Sequence, residues 1–273
     1  MTSVYAGRVL TEGDELYYEV RGEGPPLLMI SGGGGDAGYY SQVADILADE
    51  YTVITYDRRG NSRSTRNEPQ NFEVSQQARD AVAVMRAAGH QSAIVFGNSG
   101  GAIFALEMAR NQPQALKAVV VHEPPVVRML PDSEQWLRFF AGVYGLAYRY
   151  GVTVAMFRFL LSLGIPLSAL GKTPKDVGAR LEKNNEFLVK HEMIPSVTYR
   201  PDVERIKGNG VKVFMAAGQV TLDKQKYYGR TAPILADLLG CELVTFPGHH
   251  NSYIDLPQEW TATLRSVLHK VGS

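Results

Sequence analysis

The sequence predicts an α/β fold: a mainly parallel sheet with helices on both faces, interrupted by one helical insertion. Three observations predict it. Strand-like and helix-like patterns alternate from residue 26 to residue 122. The alternation stops over residues 124–205, where no clear strand pattern occurs, and it resumes with a β-rich run at residues 211–217. Alternation of this kind joins parallel strands through helical crossovers, and such sheets present their ligand crevice outside the carboxyl ends of the strands.

The elements follow in order. Residues 5–10 and 15–21 read as two short strands around a turn at Glu12-Gly13-Asp14. Residues 26–31 form a continuous apolar run, which suits a strand buried on both faces. Residues 39–48 are helical in pattern, and 51–56 are rich in β-branched residues. The alanine-rich segment 74–88 is helical and ends at Gly89. A strand at 92–97 feeds a helix that stops before Pro113, and 115–122 is another strand. The insertion carries aromatic helical stretches and a charged helix near residues 179–190. Beyond 211–217 come a helix at 228–239, a strand at 242–246 and a helix at 257–269. The expected organisation is a core of residues 1–123 and 206–273 with an insertion at 124–205.

Composition removes several function classes. Lys plus Arg and Asp plus Glu both total 28, so the net charge is zero, and neither nucleic acid nor an anionic membrane surface is an expected partner. Residues 141–170 are the longest apolar stretch, but Arg149, Arg158, Gly145, Gly151, Gly164 and Pro166 make it a poor membrane span. Glu12, Asp14 and Glu15 fall where a secretory leader would be apolar, so a cytoplasmic protein is expected. The lone Cys241 permits no intrachain disulfide, and it reads as a core residue. The histidines are scattered, with no metal-ligand spacing on one helix, so neither metal nor cofactor is expected.

The chemistry gathers at strand tips. Gly97-Asn98-Ser99-Gly100-Gly101 is a G-x-S-x-G pattern between a strand and a helix. Glycines two residues either side let strand and helix approach, and Ser99 would stand exposed at a helix N-terminus that favours negative charge. It reads as a nucleophile rather than an ordinary helix cap. The run Ser31-Gly32-Gly33-Gly34-Gly35 frees backbone N–H groups to face a ligand. Acyl transfer needs two such donors for the oxyanion, one from Gly100 and one from Gly33 or Gly34. His250, in the loop after the last strand, is favoured over His249 as the general base. The usual position of the third member, three residues after Gly218, holds Thr221, which carries no charge. Glu123 at the tip of the preceding strand is favoured over Asp223, and Pro124 is expected to hold Glu123 in an extended conformation.

Together with Tyr56-Asp57-Arg58-Arg59-Gly60, these motifs and Pro247-Gly248-His249-His250 resemble the α/β-hydrolase superfamily over nearly the whole chain outside the insertion. The resemblance implies the α/β-hydrolase fold and a helical cap at 124–205. It implies a serine hydrolase of the esterase or lactonase type acting on a small, largely apolar molecule. His122-Glu123-Pro124 after the sixth strand is similar to fungal zearalenone-type lactonases, which place their acid there. Serine at 99 departs from the aspartate nucleophile of haloalkane dehalogenases and epoxide hydrolases. Carbon–carbon bond hydrolases, prolyl aminopeptidases using Glu182 or Glu186, and a non-catalytic small-molecule receptor are the alternatives. Cap aromatics Trp136, Phe140, Tyr144 and Phe157 are the candidate substrate contacts. The oligomeric state stays open, a homodimer included.

Overall fold

The computed structural model describes residues 3–166, 169 and 171–272; Leu170, at the end of the long apolar stretch, lies outside them. Eight strands form one sheet: β1 Val4–Thr11, β2 Asp14–Arg21, β3 Pro26–Ile30, β4 Thr52–Tyr56, β5 Ala93–Asn98, β6 Leu116–His122, β7 Val213–Gly218 and β8 Glu242–Phe246. Their spatial order is β1-β2-β4-β3-β5-β6-β7-β8. β1 pairs antiparallel with β2, and β2 antiparallel with β4; the remaining pairs are parallel. The β1–β2 hairpin closes through Glu12 and Gly13, both at positive φ (47° and 83°), the conformation whose twist matches paired strands.

The period-two alternation of the central strands divides the core into two layers. Leu28, Ile30, Ile54 and Val95 pack with helices Val74–Ala87, Gly100–Asn111 and Tyr227–Leu239. Leu27, Met29, Val53 and Phe96 face the other way, against helices Ser41–Leu47 and Pro257–Gly272. This is why β3 to β5 read as continuous apolar runs instead of alternating ones. Cys241 is half-buried just before β8, and burial pushes its thiol up.

Between β6 and β7 the described residues hold helices only: Ser133–Tyr150, Val152–Leu163, Lys175–Phe187, Met193–Thr198 and Val203–Gly208. Ser133–Tyr150, Val152–Leu163 and Met193–Thr198, with the turn at residues 188–192, build a third apolar cluster around Phe140, Val143, Met156 and Val189, closed by Tyr227 and Tyr228. The charged helix expected at 179–190 is wound differently. It runs as an α-helix to Phe187 and then takes a π turn at Leu188–Glu192. Pro195 follows within the next turn and has no N–H to offer the carbonyl four residues back, a local reason for irregular winding. Among the described residues, no helix is long and apolar enough to cross a membrane.

Candidate active site

Ser99 stands between β5 and the helix Gly100–Asn111 with φ 57° and ψ −122°, a strained backbone for a residue with a Cβ. Its flanking glycines are sterically required. A Cβ on Gly97 would overlap the Gly101 carbonyl, and a Cβ on Gly101 would overlap the carbonyl of Ile30. The turn is fixed by Ser99 N–H donating to the His122 carbonyl at 2.9 Å. Ser99 thus projects from the sheet at the positive end of a helix.

The glycine loop after β3 lies beside it. A Cβ on Gly32 would stand 2.7 Å from that of Ser99, and a Cβ on Gly100 would stand 3.8 Å from the Gly33 nitrogen. The Gly34 carbonyl is taken by Asn184 Nδ2 at 2.6 Å. Buried Arg58 holds this loop from beneath: its guanidinium donates to the carbonyls of Ser31 (2.9 Å) and Gly32 (2.8 Å), and pairs with Glu192 at 2.6 Å. Two loop carbonyls are thereby turned inward. Nothing local in Tyr56-Asp57-Arg58-Arg59-Gly60 links Arg58 to the glycine loop.

His250 follows β8 after Gly248, which adopts a φ of 75°. His250 is buried, its Nδ1 is hydrogen-bonded to Glu123 Oε2, and its ring lies 4.2 Å from that of Tyr228. His249 turns elsewhere, with Nε2 3.1 Å from Asp255. The second Glu123 oxygen accepts from the Gly218 N–H at 2.8 Å. Burial pushes the Glu123 carboxyl up, but His122, the His250 bond and the Gly218 N–H outweigh it and hold it below the ordinary glutamate range. One expectation needs correction: Glu123 is not extended but has a φ of 53°. The preference of a pre-proline residue yields here to two tertiary bonds, the Glu123 N–H to the Ala216 carbonyl at 2.9 Å and the Gly218 N–H to its side chain. Asp223 is exposed in a short helix, Gln219–Asp223, and accepts from Gln219 at 2.8 Å.

Beneath these groups lies His122, which sequence reasoning passed over. Its Nδ1 is 2.7 Å from Asn98 Oδ1, its Nε2 is buried without a partner, and burial lowers its pKa to about 4.

Ser99, Gly33, Gly34 and His250 line one cavity of about 310 Å³, walled by apolar side chains that include Met156, Leu160, Leu181 and Leu188. A smaller chamber of about 40 Å³ adjoins Ser99, Gly33 and Gly100. Of the expected cap aromatics, Phe140 lines this chamber. The other three do not reach either space. Trp136 packs on Tyr227 with ring centres 4.3 Å apart. Tyr144 is exposed and meets Tyr148. Phe157 is 66% exposed, because Ala155, Met156 and Leu163 form the inward face of its helix. Phe159 and Leu188 line both spaces instead.

Comparison with known proteins agrees with this fold. Residues 25–160 match the family described as alpha/beta hydrolase fold. An uncharacterized hydrolase of Bacillus subtilis (strain 168), YraK, is 31% identical over 270 residues, covering 97% of this chain and 96% of its own. Among solved structures, a thermophilic esterase from Thermogutta terrifontis superposes with a TM-score of 0.76 at 20% identity, over 98% of this chain and 100% of its own. The enol-lactonase from Burkholderia xenovorans LB400 gives a TM-score of 0.74 at 19% identity, over 96% and 100%. The strained serine, the glycine loop beside it, the eight-stranded sheet and the full-length relative agree, and the chain belongs to the α/β-hydrolase fold family.

Proposed function

We propose that this chain is a cofactor-independent serine hydrolase that cleaves a carboxylic ester or lactone of a small, largely apolar molecule. The observation that carries the reading is the His250–Glu123 bond at the edge of the cavity that Ser99 lines. In this reading Ser99 Oγ attacks the carbonyl carbon while His250 Nε2 takes its proton. Glu123 fixes the tautomer through Nδ1 and stabilises the imidazolium. The N–H groups of Gly100 and Gly33 hold the oxyanion, with Gly33 preferred to Gly34 for its position beside Gly100. His250 returns the proton to the departing alkoxide. Water, deprotonated by the same histidine, then releases the acid and restores Ser99. Residues 124–205 serve as a cap, and its apolar cavity wall selects the substrate. The esterase and lactonase among the structural neighbours support this choice of bond.

Labelling with a fluorophosphonate, followed by peptide mass spectrometry, tests the reading. The adduct is expected on Ser99, with loss of ester hydrolysis in proportion to labelling. Active enzyme that carries no adduct, or carries it on another residue, overturns it.

A further inference from the structure

The chamber beside Ser99 contains two polar atoms with nothing to bind. Glu192 and Ser196 both line it, both are buried, and Glu192 Oε2 and Ser196 Oγ have no hydrogen-bond partner among the described residues. Buried polar atoms are almost always satisfied in folded proteins, so two orphans in one chamber next to a strained serine call for a ligand. The irregular winding of the helical segment brings them there. Glu192 closes the π turn, and such turns occur mostly as single bulges, frequently at functional sites. Its Oε1 lies 3.5 Å from the point a Cβ on Gly100 would occupy, and the Gly33 nitrogen lies 3.8 Å from that same point. The carboxylate therefore faces the turn that carries the nucleophile.

We propose that Glu192 and Ser196 form an acyl-side subsite for a short acyl group with a neutral hydrogen-bond donor next to the carbonyl, as in a 2-hydroxyacyl ester. This rests on the serine esterase reading above. A carboxylate only accepts hydrogen bonds, so Oε2 selects a donor, while the Ser196 hydroxyl can rotate to accept or donate. Arg58 already pairs with Oε1, so the carboxylate's charge is balanced and the site needs a hydroxyl and not a cation. The volume of about 40 Å³ holds about three water-sized groups. Phe140, Val197 and Tyr228 close it to longer chains. The 310 Å³ cavity on the other side of Ser99 is left for the alcohol portion.

Phenyl glycolate and phenyl propionate test the subsite, because their acyl groups match in size and differ by a hydroxyl in place of a methyl. Each kcat/KM is divided by the ester's own rate with hydroxide. The protein is expected to favour glycolate at least tenfold, since a site built for a hydroxyl rejects the analogue that lacks it. Glu192→Gln can keep its oxygen on Arg58 but presents N–H where Oε2 stood. That N–H can only donate to the glycolate hydroxyl and no longer accepts from it, so the variant is expected to lower the preference. Ser196→Ala leaves the ion pair intact and is expected to lower the ratio about threefold. If Glu192→Gln fails to fold, Ser196→Ala decides: a lowered ratio supports the subsite, an unchanged one overturns it. Hydrolysis of both esters without preference overturns this inference alone. Hydrolysis of neither overturns it together with the esterase reading.

Discussion

Glu123 and His250 are joined side chain to side chain across 127 positions of sequence, the carboxylate at the tip of β6 and the imidazole in the loop after β8. β7 separates the two strands, and its last residue, Gly218, completes the arrangement by donating to the same carboxylate. A Cβ at Gly218 would stand 3.3 Å from Glu123 Oε1, so a glycine there lets the carboxylate approach the backbone.

From this contact follows the behaviour of the two carboxylate variants. Glu123→Gln is expected to fold and to lose about 10⁴ in kcat, the scale seen when a serine protease loses tautomer control. Asp223→Asn, exposed and bonded only within its own helix turn, is expected to stay within about threefold of the parent. Ester turnover of both variants, checked for folding by circular dichroism, decides. A dead Asp223→Asn beside an active Glu123→Gln would reverse the assignment.

Glycine substitutions are expected to separate sharply by location. Gly101→Ala places a Cβ onto the Ile30 carbonyl in the packed core, with no flexible atom to give way. It should abolish soluble expression or active-site labelling. Gly142→Ala meets nothing within 4 Å inside the helix Ser133–Tyr150. It should stabilise the protein by about 0.5–1 kcal/mol through helix propensity and reduced unfolded-state entropy. Soluble yield and fluorophosphonate labelling read the first variant, and urea unfolding the second.

The sheet and its tips were legible because strand alternation and turn chemistry are local. Gly97-Asn98-Ser99-Gly100-Gly101 carries its own steric reason, and the Ser99 backbone conformation follows from it. Glu123 was reached by elimination, since Thr221 occupies the customary position, and the extended conformation expected for it is corrected by a φ of 53°. The helical segment was less readable. Phe140 and Tyr144 lie one turn apart on the same helix face, so periodicity cannot separate them. Phe140 is buried because Tyr227 and Phe159 pack on it, and among the described residues Tyr144 has only Tyr148 as a ring neighbour. Arg58 pairs with Glu192 across 134 positions, and a π turn sets where Glu192 points. Neither fact has a local signature.

Arg58→Lys is expected to lower kcat about tenfold to a hundredfold while KM changes little, the scale of a damaged oxyanion site. A lysine ammonium cannot reproduce the planar fork that spans the Ser31 and Gly32 carbonyls and the Glu192 carboxylate. Steady-state kinetics, with active sites counted by fluorophosphonate labelling, separate a misplaced loop from a smaller population of folded enzyme. A variant with unchanged kcat would show that the glycine loop holds its shape without the fork.

Acid is expected to destabilise the fold through His122. Burial lowers its pKa from 6.5 to about 4, so between those values the unfolded chain binds a proton that the folded chain refuses. Stability from this group is therefore complete above pH 6.5 and is lost as pH falls toward 4, by about 3 kcal/mol in full. Glu123 acts in the same direction: its lowered pKa stabilises the fold at neutral pH, and that contribution disappears as pH falls through the folded value. His122→Gln removes the histidine's own titration together with its part in holding the Glu123 carboxyl down. Its amide can still meet Asn98, but nothing at that position titrates. Urea unfolding at pH 7.5 and pH 4.5 should show the parent losing more stability than the variant, by about 2–3 kcal/mol. Equal losses in both proteins would mean that His122 takes up its proton without opening the fold.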